Sequence, residues 1–353
     1  DQLVHFPYQS FGAVEQFMLA AARDPHVERI KISLYRIAKR SLLTDALLNA
    51  LEHNKEVVIF VEAKARFDEK NNIEWGKIFT DKGAKVFFSV PNIKVHSKIA
   101  LVERKENSAL RRYAYIGTGN FNAKTAKLYC DHGLFTAHPQ ITADLHQVFG
   151  TLQRELIVPK LKRLLVSPYN TRITLLQAIE NEVRNHLAGK PAGILLKMNS
   201  LEDPMMIDAL QRAASQGVGI HLLVRGFCCL VPPSTVRMTD GQSPLKITSI
   251  VDRYLEHGRI YWFRNAGEEQ MYMGSADWMG RNLDRRIEVL VPILDREVFQ
   301  ELKDILLLQL GDNVKARIQD RVRTNHKVTR KEGEPEIRSQ YAIYEYLGQK
   351  LTP

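Results

Sequence analysis

Apolar residues along this chain fall into two alternating rhythms. In "GAVEQFMLAAARD" (12–24), "SLLTDALLNALEH" (41–53) and "IEWGKIFTDKG" (73–83) they recur every three or four positions, which places them on one face of a helix. Between these, "VERIKISLY" (27–35), "EVVIFVE" (56–62) and "KVFFSV" (85–90) are short runs rich in β-branched and aromatic residues, and they predict strands. Two further strands are predicted at 93–103 and 111–117. Helices and strands that alternate in this way predict an α/β sandwich on a mainly parallel or mixed sheet.

The pattern then starts again. "SPYNTRITLLQAIENEVRNHL" (167–187) echoes "FPYQSFGAVEQFMLAA" (6–21), and "GVGIHLLVRG" (217–226) echoes "KEVVIFVEAK" (55–64). The triplet "DAL" stands in both "IKISLYRIAKRSLLTDAL" (30–47) and "ILLKMNSLEDPMMIDAL" (194–210), at an offset of 163 residues. A period this long predicts duplication of a whole domain, since solenoid repeats run to about 20–50 residues. The expected division is a first domain over 1–160, a second over 161–312, and a basic C-terminal extension over 313–353 with a terminal helix. From Lys315 to Arg338 the extension holds eight Lys or Arg against four acids, and it reads as a solvated surface segment.

One strand breaks the apolar rule. In "IKVHSKIALVE" (93–103), period 2 sends Ile93, Val95, Ile99 and Leu101 to one face and Lys94, His96 and Lys98 to the other. The second half repeats the arrangement in "YLEHGRIYWF" (254–263), with His257 and Arg259 two apart. Each pair is followed by a tight turn: Gly117-Thr118-Gly119-Asn120 in the first half, Gly274-Ser275-Ala276-Asp277 in the second. Asp131 follows Asn120 by eleven residues, and Glu288 follows Asp277 by eleven. One H-x-K is a weak signal, but the same ordered set occurring twice is strong.

Composition narrows the partners. The 353 residues carry a net charge of +10, which suits a polyanion: nucleic acid, an acidic membrane surface, nucleotides or polyphosphate. Cys130, Cys228 and Cys229 form no disulfide framework and no zinc spacing, so a reducing compartment is expected, and the adjacent pair reads as strand-end packing. No run reaches the ~18 apolar residues of a spanning helix. The chain begins at Asp1 without an initiator methionine and is expected to be a piece of something longer.

The repeated set has the makings of phosphoryl chemistry. A histidine that attacks phosphorus must be neutral, with one ring nitrogen free and the other held. Asp131 or Glu288 could accept that second N–H and stabilise the cation that forms. Lys98 and Arg259 supply positive charge for phosphate oxygens, and Thr118 or Ser275 adds a short donor. Two such half-sites about a pseudo-twofold axis would put one histidine on each side of a phosphoryl group, one attacking and one protonating the leaving oxygen. His5, His26, His53, His138, His186 and His326 have no recurring partner and read as ordinary residues, while His132 is open to either reading.

His-x-Lys followed by Gly-Thr/Ser-x-Asn, in two copies, resembles the phospholipase D superfamily. The stretches "LYRIAKRS", "EAKARFDEKNNIEW", "KVHSK", "YAYIGTGNFNAKTAKLY", "LLVRGFCCL", "YLEHGRIYWF" and "GSADWMGRNLDRRIEVLVPI" are similar, more narrowly, to the C-terminal half of the bacterial polyphosphate kinase family, over nearly all of 1–345. Three positions depart from the broader superfamily pattern: Glu103 where Asp is usual, Arg259 for lysine and Asp277 for asparagine. The last two match the kinase branch.

The resemblance implies two tandem phospholipase D-like α/β domains, each a mixed sheet flanked by helices. It implies reversible transfer of the ATP γ-phosphoryl group to inorganic polyphosphate through a phosphohistidine at His96. His257, Lys98, Asp131 and Glu288 are then expected in the catalytic set. Tyr129, Arg225, His257, Arg259, Asn120 and Ser275 are expected to contact ATP or ADP. Arg36 and Arg66 match positions of the magnesium site and are expected to grip the phosphate oxygens that Mg2+ shares. N-terminal domains, a homo-oligomer and a cytoplasmic setting are also implied, with peripheral attachment at the inner membrane as an option and no nucleic acid. Two alternatives stand beside this reading: a phospholipase D-like phosphodiesterase or nuclease, and a non-catalytic polyanion-binding segment.

Overall fold

Strand and helix follow one another from the first residues onward in the computed structural model, which describes residues 1–35, 37, 41–62, 69–89, 93–232 and 244–350. The order is β1 (Gln2–Phe6), α1 (Gly12–Arg23), β2 (Val27–Leu34), α2 (Leu42–Glu52), β3 (Glu56–Val61), α3 (Glu69–Asp81), β4 (Lys85–Phe88), β5 (Lys94–Val95), β6 (Lys98–Glu106), β7 (Ala109–Gly117), α4 (Ala123–Ala126), β8 (Tyr129–Thr136), α5 (Pro139–Leu152) and β9 (Leu165–Ser167). It continues with α6 (Thr171–Leu187), β10 (Ile194–Met198), α7 (Pro204–Ser215), β11 (Ile220–Val224), β12 (Leu245–Ile250), β13 (Leu255–Glu256), β14 (Arg259–Phe263), β15 (Gln270–Gly274), α8 (Gly280–Asp284), β16 (Arg286–Pro292), α9 (Arg296–Leu310), β17 (Ala316–Ile318) and α10 (Ser339–Lys350). Packing divides the chain into two units, Asp1–Tyr169 with Asp284–Val291, and Asn170–Leu283 with Pro292–Pro353.

In the first unit the strands lie in the order β1-β8-β7-β6-β2-β3-β4. β2, β3 and β4 are parallel, and β6, β7, β8 and β1 pair antiparallel. In the second the order is β17-β12-β11-β10-β14-β15, with β10, β11 and β12 parallel and the rest antiparallel. The motif β7-β6-β2-β3-β4 thus recurs as β15-β14-β10-β11-β12. Each unit is an α/β fold with a mixed sheet flanked by helices, as the sequence predicts.

Local chemistry explains where the helices start. Ser41 and Thr44 form a capping box at α2, the Thr44 amide donating to the Ser41 hydroxyl. Asp203 caps α7 ahead of Pro204, and Asp295 caps α9. The repeated "DAL" buries the same pair in both copies, Ala46 and Leu47 on α2 and Ala209 and Leu210 on α7. Fully burying one such leucine side chain contributes about 1.5–3 kcal/mol.

The strand expected over 93–103 is two strands. β5 stops at Val95 and pairs in parallel with β16, while β6 starts at Lys98 and pairs with β2 and β7. The chain changes partner between them, leaving His96 and Ser97 outside both ladders. Nor does β6 have a polar outer face, because Lys98 and every residue from Ile99 to Glu103 are buried. The second half breaks at the same point, with β13 ending at Glu256 and β14 starting at Arg259. The C-terminal segment is exposed over most of 321–336, but β17 pairs with β12 and α10 buries Ser339, Gln340, Ile343 and Leu347. Among the described residues no helix is long and apolar enough to cross a membrane.

Glu103 is an anchor of the first unit. Wholly buried on β6, it accepts hydrogen bonds from Arg29 Nη1 (2.7 Å), Arg112 Nε (2.9 Å) and His146 Nδ1 (2.8 Å). Burial alone would raise its pKa, but the hydrogen bonds from His146, Arg112 and Arg29 outweigh it and hold the carboxyl well below its ordinary 4.5. A depressed carboxyl contributes stability that is present above the unfolded value and lost as pH falls toward the native one. Glu103→Gln is expected to cost on the order of 3 kcal/mol at pH 7. Urea midpoints measured from pH 7 down to 3.5 should fall more steeply below about pH 4.5 in the parent than in the variant; parallel curves would remove Glu103 from this role.

Candidate active site

The first histidine sits where β5 gives way to β6. The amides of His96 and Ser97 both donate to the carbonyl of Ile287 on β16, at 3.0 and 3.1 Å. Val95 is registered with Ile287, so the next residues along, His96 and Glu288, stand side by side. His96 Nδ1 lies 3.0 Å from Oε2 of the wholly buried Glu288. With Glu288 ionised the carboxylate can only accept, which would put the proton on Nδ1 and leave Nε2 its lone pair. The ring meets Tyr35 edge-on, with centroids 5.1 Å apart and planes at 85°. Burial pushes the His96 pKa down most strongly, Glu288 opposes it, Lys98 and Arg286 add to the push, and the value settles at about 4. The imidazole is therefore neutral at pH 7. Lys98 is buried, donates from Nζ to the His96 carbonyl, and stands 5.6 Å from the Tyr35 ring centroid.

The turn after β7 serves Asp131. Thr118 Oγ1 donates to Asp131 Oδ1 at 2.6 Å and accepts from the His132 amide at 2.9 Å. A Cβ on Gly119 would fall 2.3 Å from Asp131 Oδ2, so only glycine fits against that carboxylate. Asn120 Oδ1 is buried and meets no hydrogen-bond donor among the described residues. Tyr129 is half-buried at the start of β8, two residues before Asp131. His132 Nδ1 lies 2.8 Å from Nδ1 of buried His5, so two histidines without a clear role in the sequence form a structural pair.

The second histidine is held differently. Arg259 Nη1 donates to the His257 carbonyl at 2.8 Å and lies 3.3–3.4 Å from both ring nitrogens. The same guanidinium meets Asp277 through Nε (3.2 Å) and Nη2 (3.1 Å), and the Asn199 amide donates to Asp277 Oδ1 at 2.8 Å. Burial raises the Asp277 pKa, but Arg259 and these hydrogen bonds bring it down to about 2. Arg259 for lysine and Asp277 for asparagine are therefore one linked exchange, in which the larger cation arrives with its own carboxylate. Asn199 Nδ2 also donates to the His257 carbonyl (3.2 Å), and Arg225 joins Asn199 Oδ1 (2.5 Å) to the Glu256 carbonyl (2.8 Å). Ser275 is buried at the end of β15. Arg36 and Arg66 lie outside the described residues.

Three supporting residues, Tyr35, Asn199 and Glu62, were not singled out from the sequence. Tyr35 follows β2 and Asn199 follows β10, and each reaches the histidine of its own half. Glu62 follows β3 and Arg225 follows β11; Glu62 Oε2 accepts the Val95 amide (2.9 Å), while Arg225 holds the Glu256 carbonyl. The residue after each second parallel strand thus clamps the residue before each histidine. Position at the carboxyl end of a parallel strand is the signal that could have found them. Arg286, 4.0 Å from Glu288 Oε1, was also missed.

Comparison with known proteins agrees with this architecture. The structure superposes on phosphatidylserine synthase of Haemophilus influenzae Rd KW20 with a TM-score of 0.59 at 10% identity, covering 99% of this chain and 93% of that one, a likeness of fold alone. It superposes on polyphosphate kinase of Porphyromonas gingivalis with a TM-score of 0.90 at 39% identity, covering 99% of this chain and 53% of that one. Residues 1–158 match polyphosphate kinase C-terminal domain 1, and residues 164–340 match polyphosphate kinase C-terminal domain 2. The polyphosphate kinases of Yersinia pestis and Escherichia coli K12 are 44% and 43% identical over 347 residues, 98% of this chain. The chain belongs to the polyphosphate kinase family. It spans about half the length of the curated relatives it matches.

Histidine-selective NMR should show the His96 ring neutral, with the proton on Nδ1, from pH 8 down to about 5, and titrating near 4. A transition above pH 6 would contradict the geometry. Asp277→Asn alone is expected to cost on the order of 3 kcal/mol, because it strands a buried guanidinium. Adding Arg259→Lys, which gives the residue types found at the corresponding first-half positions, Lys98 and Asn120, should recover at least about 1 kcal/mol. Strict additivity of the two substitutions in chemical denaturation would show that the pair is not coupled.

Proposed function

We propose that this chain carries the phosphoryl-transfer centre of a polyphosphate kinase, passing the γ-phosphoryl group of ATP to the end of inorganic polyphosphate, and back, through His96. The observation that supports this most directly is the 3.0 Å contact between His96 Nδ1 and Glu288 Oε2. With Nδ1–H committed to the carboxylate, Nε2 is the nucleophile. The N–P bond forms as the bond from phosphorus to the bridging oxygen of ADP breaks, and that oxygen keeps the electron pair. The imidazole becomes cationic, and Glu288 stabilises it. A terminal oxygen of polyphosphate then attacks the same phosphorus, and the N–P electrons return to Nε2. Both donor and product are phosphoanhydrides, so the transfer runs in either direction.

The remaining residues take supporting parts in this reading. His257 exchanges a proton with the leaving or attacking oxygen, and Lys98 stabilises charge near phosphorus. Asp131, held by Thr118, acts as the second orienting carboxylate. Tyr129, Arg225, Arg259, Asn120 and Ser275 bind the nucleotide. Among the described residues no three His, Cys, Asp or Glu side chains converge on a metal position. Magnesium would enter with ATP and offset the charge of its phosphates, and Arg36 and Arg66 would grip the phosphate oxygens. The chain then acts with N-terminal domains in a cytoplasmic homo-oligomer.

The test is incubation with γ-labelled ATP and magnesium, followed by acid and alkali treatment of the protein. The expected label is acid-labile, alkali-stable and absent from His96→Ala. Glu288→Gln should slow its appearance by at least about a hundredfold. Label retained in His96→Ala would reject the nucleophile, and hydrolysis of a generic phosphodiester in its place would favour the phospholipase D-like alternative.

A further inference from the structure

The second half contains a buried ion pair that the first half lacks. Near the end of β2 and just before His96 stand Ser33 and Val95; at the corresponding places, on β10 and just before His257, stand Lys197 and Glu256. Lys197 Nζ lies 2.7 Å from Glu256 Oε2, and both side chains are almost wholly buried. Gln309 Nε2 on α9 donates to the same oxygen at 2.8 Å, and Gln340 Nε2 on α10 donates to Oε1 at 2.8 Å. Gln340 also brackets Tyr254, accepting from its amide at 3.0 Å and donating to its carbonyl at 2.9 Å. In the first half α5 leads directly to β9, so α10 has no counterpart there.

A buried charge pair seldom stabilises more than well-packed apolar side chains would, so its presence calls for another reason. The backbone around His257 suggests one. β13 is only Leu255–Glu256, and the histidine lies outside any strand. Side chains hold its approach at four points: Gln340 at Tyr254, Arg225 at the Glu256 carbonyl, Asn199 and Arg259 at the His257 carbonyl. Helix α10 is itself tied down at its start, where Arg338 binds Asp252 through two bonds (2.6 and 2.8 Å) and Ser339 binds Asp312 through its amide (2.8 Å) and hydroxyl (2.7 Å).

We infer that Glu256 is a positioning residue for His257, and that docking of α10 through Gln340 sets the second imidazole for its part in the transfer. The positioning follows from the contacts alone; its effect on turnover rests on the kinase reading. The test uses the natural full-length chain carrying Gln340→Leu, which is apolar and close in shape. A second variant, Lys197→Met with Glu256→Leu, removes both charges together and leaves neither one stranded. In both, the His257 signal in histidine-selective NMR should shift or broaden while that of His96 stays in place. The kcat should fall about tenfold or more, with the KM for ATP within about twofold. Gln340→Glu adds a readout that bulk packing would not move. It can bond Glu256 only when the two carboxyls share a proton, so the native His257 signal and kcat should return as pH falls. A native His257 signal in the folded Gln340→Leu and double variants overturns the positioning. A shifted signal with unchanged kcat overturns the role given to His257 in the transfer and leaves the positioning intact.

Discussion

The carbonyl of Ile287 accepts two successive amides, those of His96 and Ser97, and the first half-site is organised around that doubled hydrogen bond. It ends the short run of β5 beside β16 and releases the chain into β6. A residue inside a ladder has both its backbone groups committed to neighbouring strands and its side chain committed to one face. His96 escapes the second constraint without losing the first, since its amide is bonded while its ring turns toward Glu288. The neutrality of the ring, its tautomer and its edge-on contact with Tyr35 all follow from where this exchange of partners occurs.

The two halves share a scaffold and differ in how they distribute charge. After the second parallel strand the first half places a carboxylate, Glu62, and the second a guanidinium, Arg225, yet both restrain the residue preceding a histidine. The first half directs its nearest carboxylate to the imidazole. The second directs Asp277 to Arg259 and surrounds the main chain of His257 with side-chain donors. One half is arranged around a ring nitrogen, the other around a stretch of backbone.

Much of this was legible in the sequence. The two periodicities mark the strands and helices because each element buries one face, and the recurring "DAL" marks the duplication because both copies bury the same alanine and leucine. His96 and His257 stand out because ionisable residues in apolar runs are costly. The break between Val95 and Lys98 was not legible, since apolar alternation runs straight through it and only long-range pairing reveals the change of partner. Glu103, third in the family's motif order, gives no sign in sequence that two arginines and a histidine enclose it. Nor could spacing show that Glu288, and not Asp131, would meet His96, because equal intervals in two copies carry no information about which copy supplies which partner.

That last contact joins the two sequence copies. By sequence repeat Glu288 belongs to the second copy, yet it packs within the first unit, against a histidine 192 positions earlier. A polypeptide consisting of one copy would lack the acceptor for its own imidazole and would have to borrow it from a twin. The first half-site is therefore completed by a carboxylate that the sequence repeat assigns to the other copy.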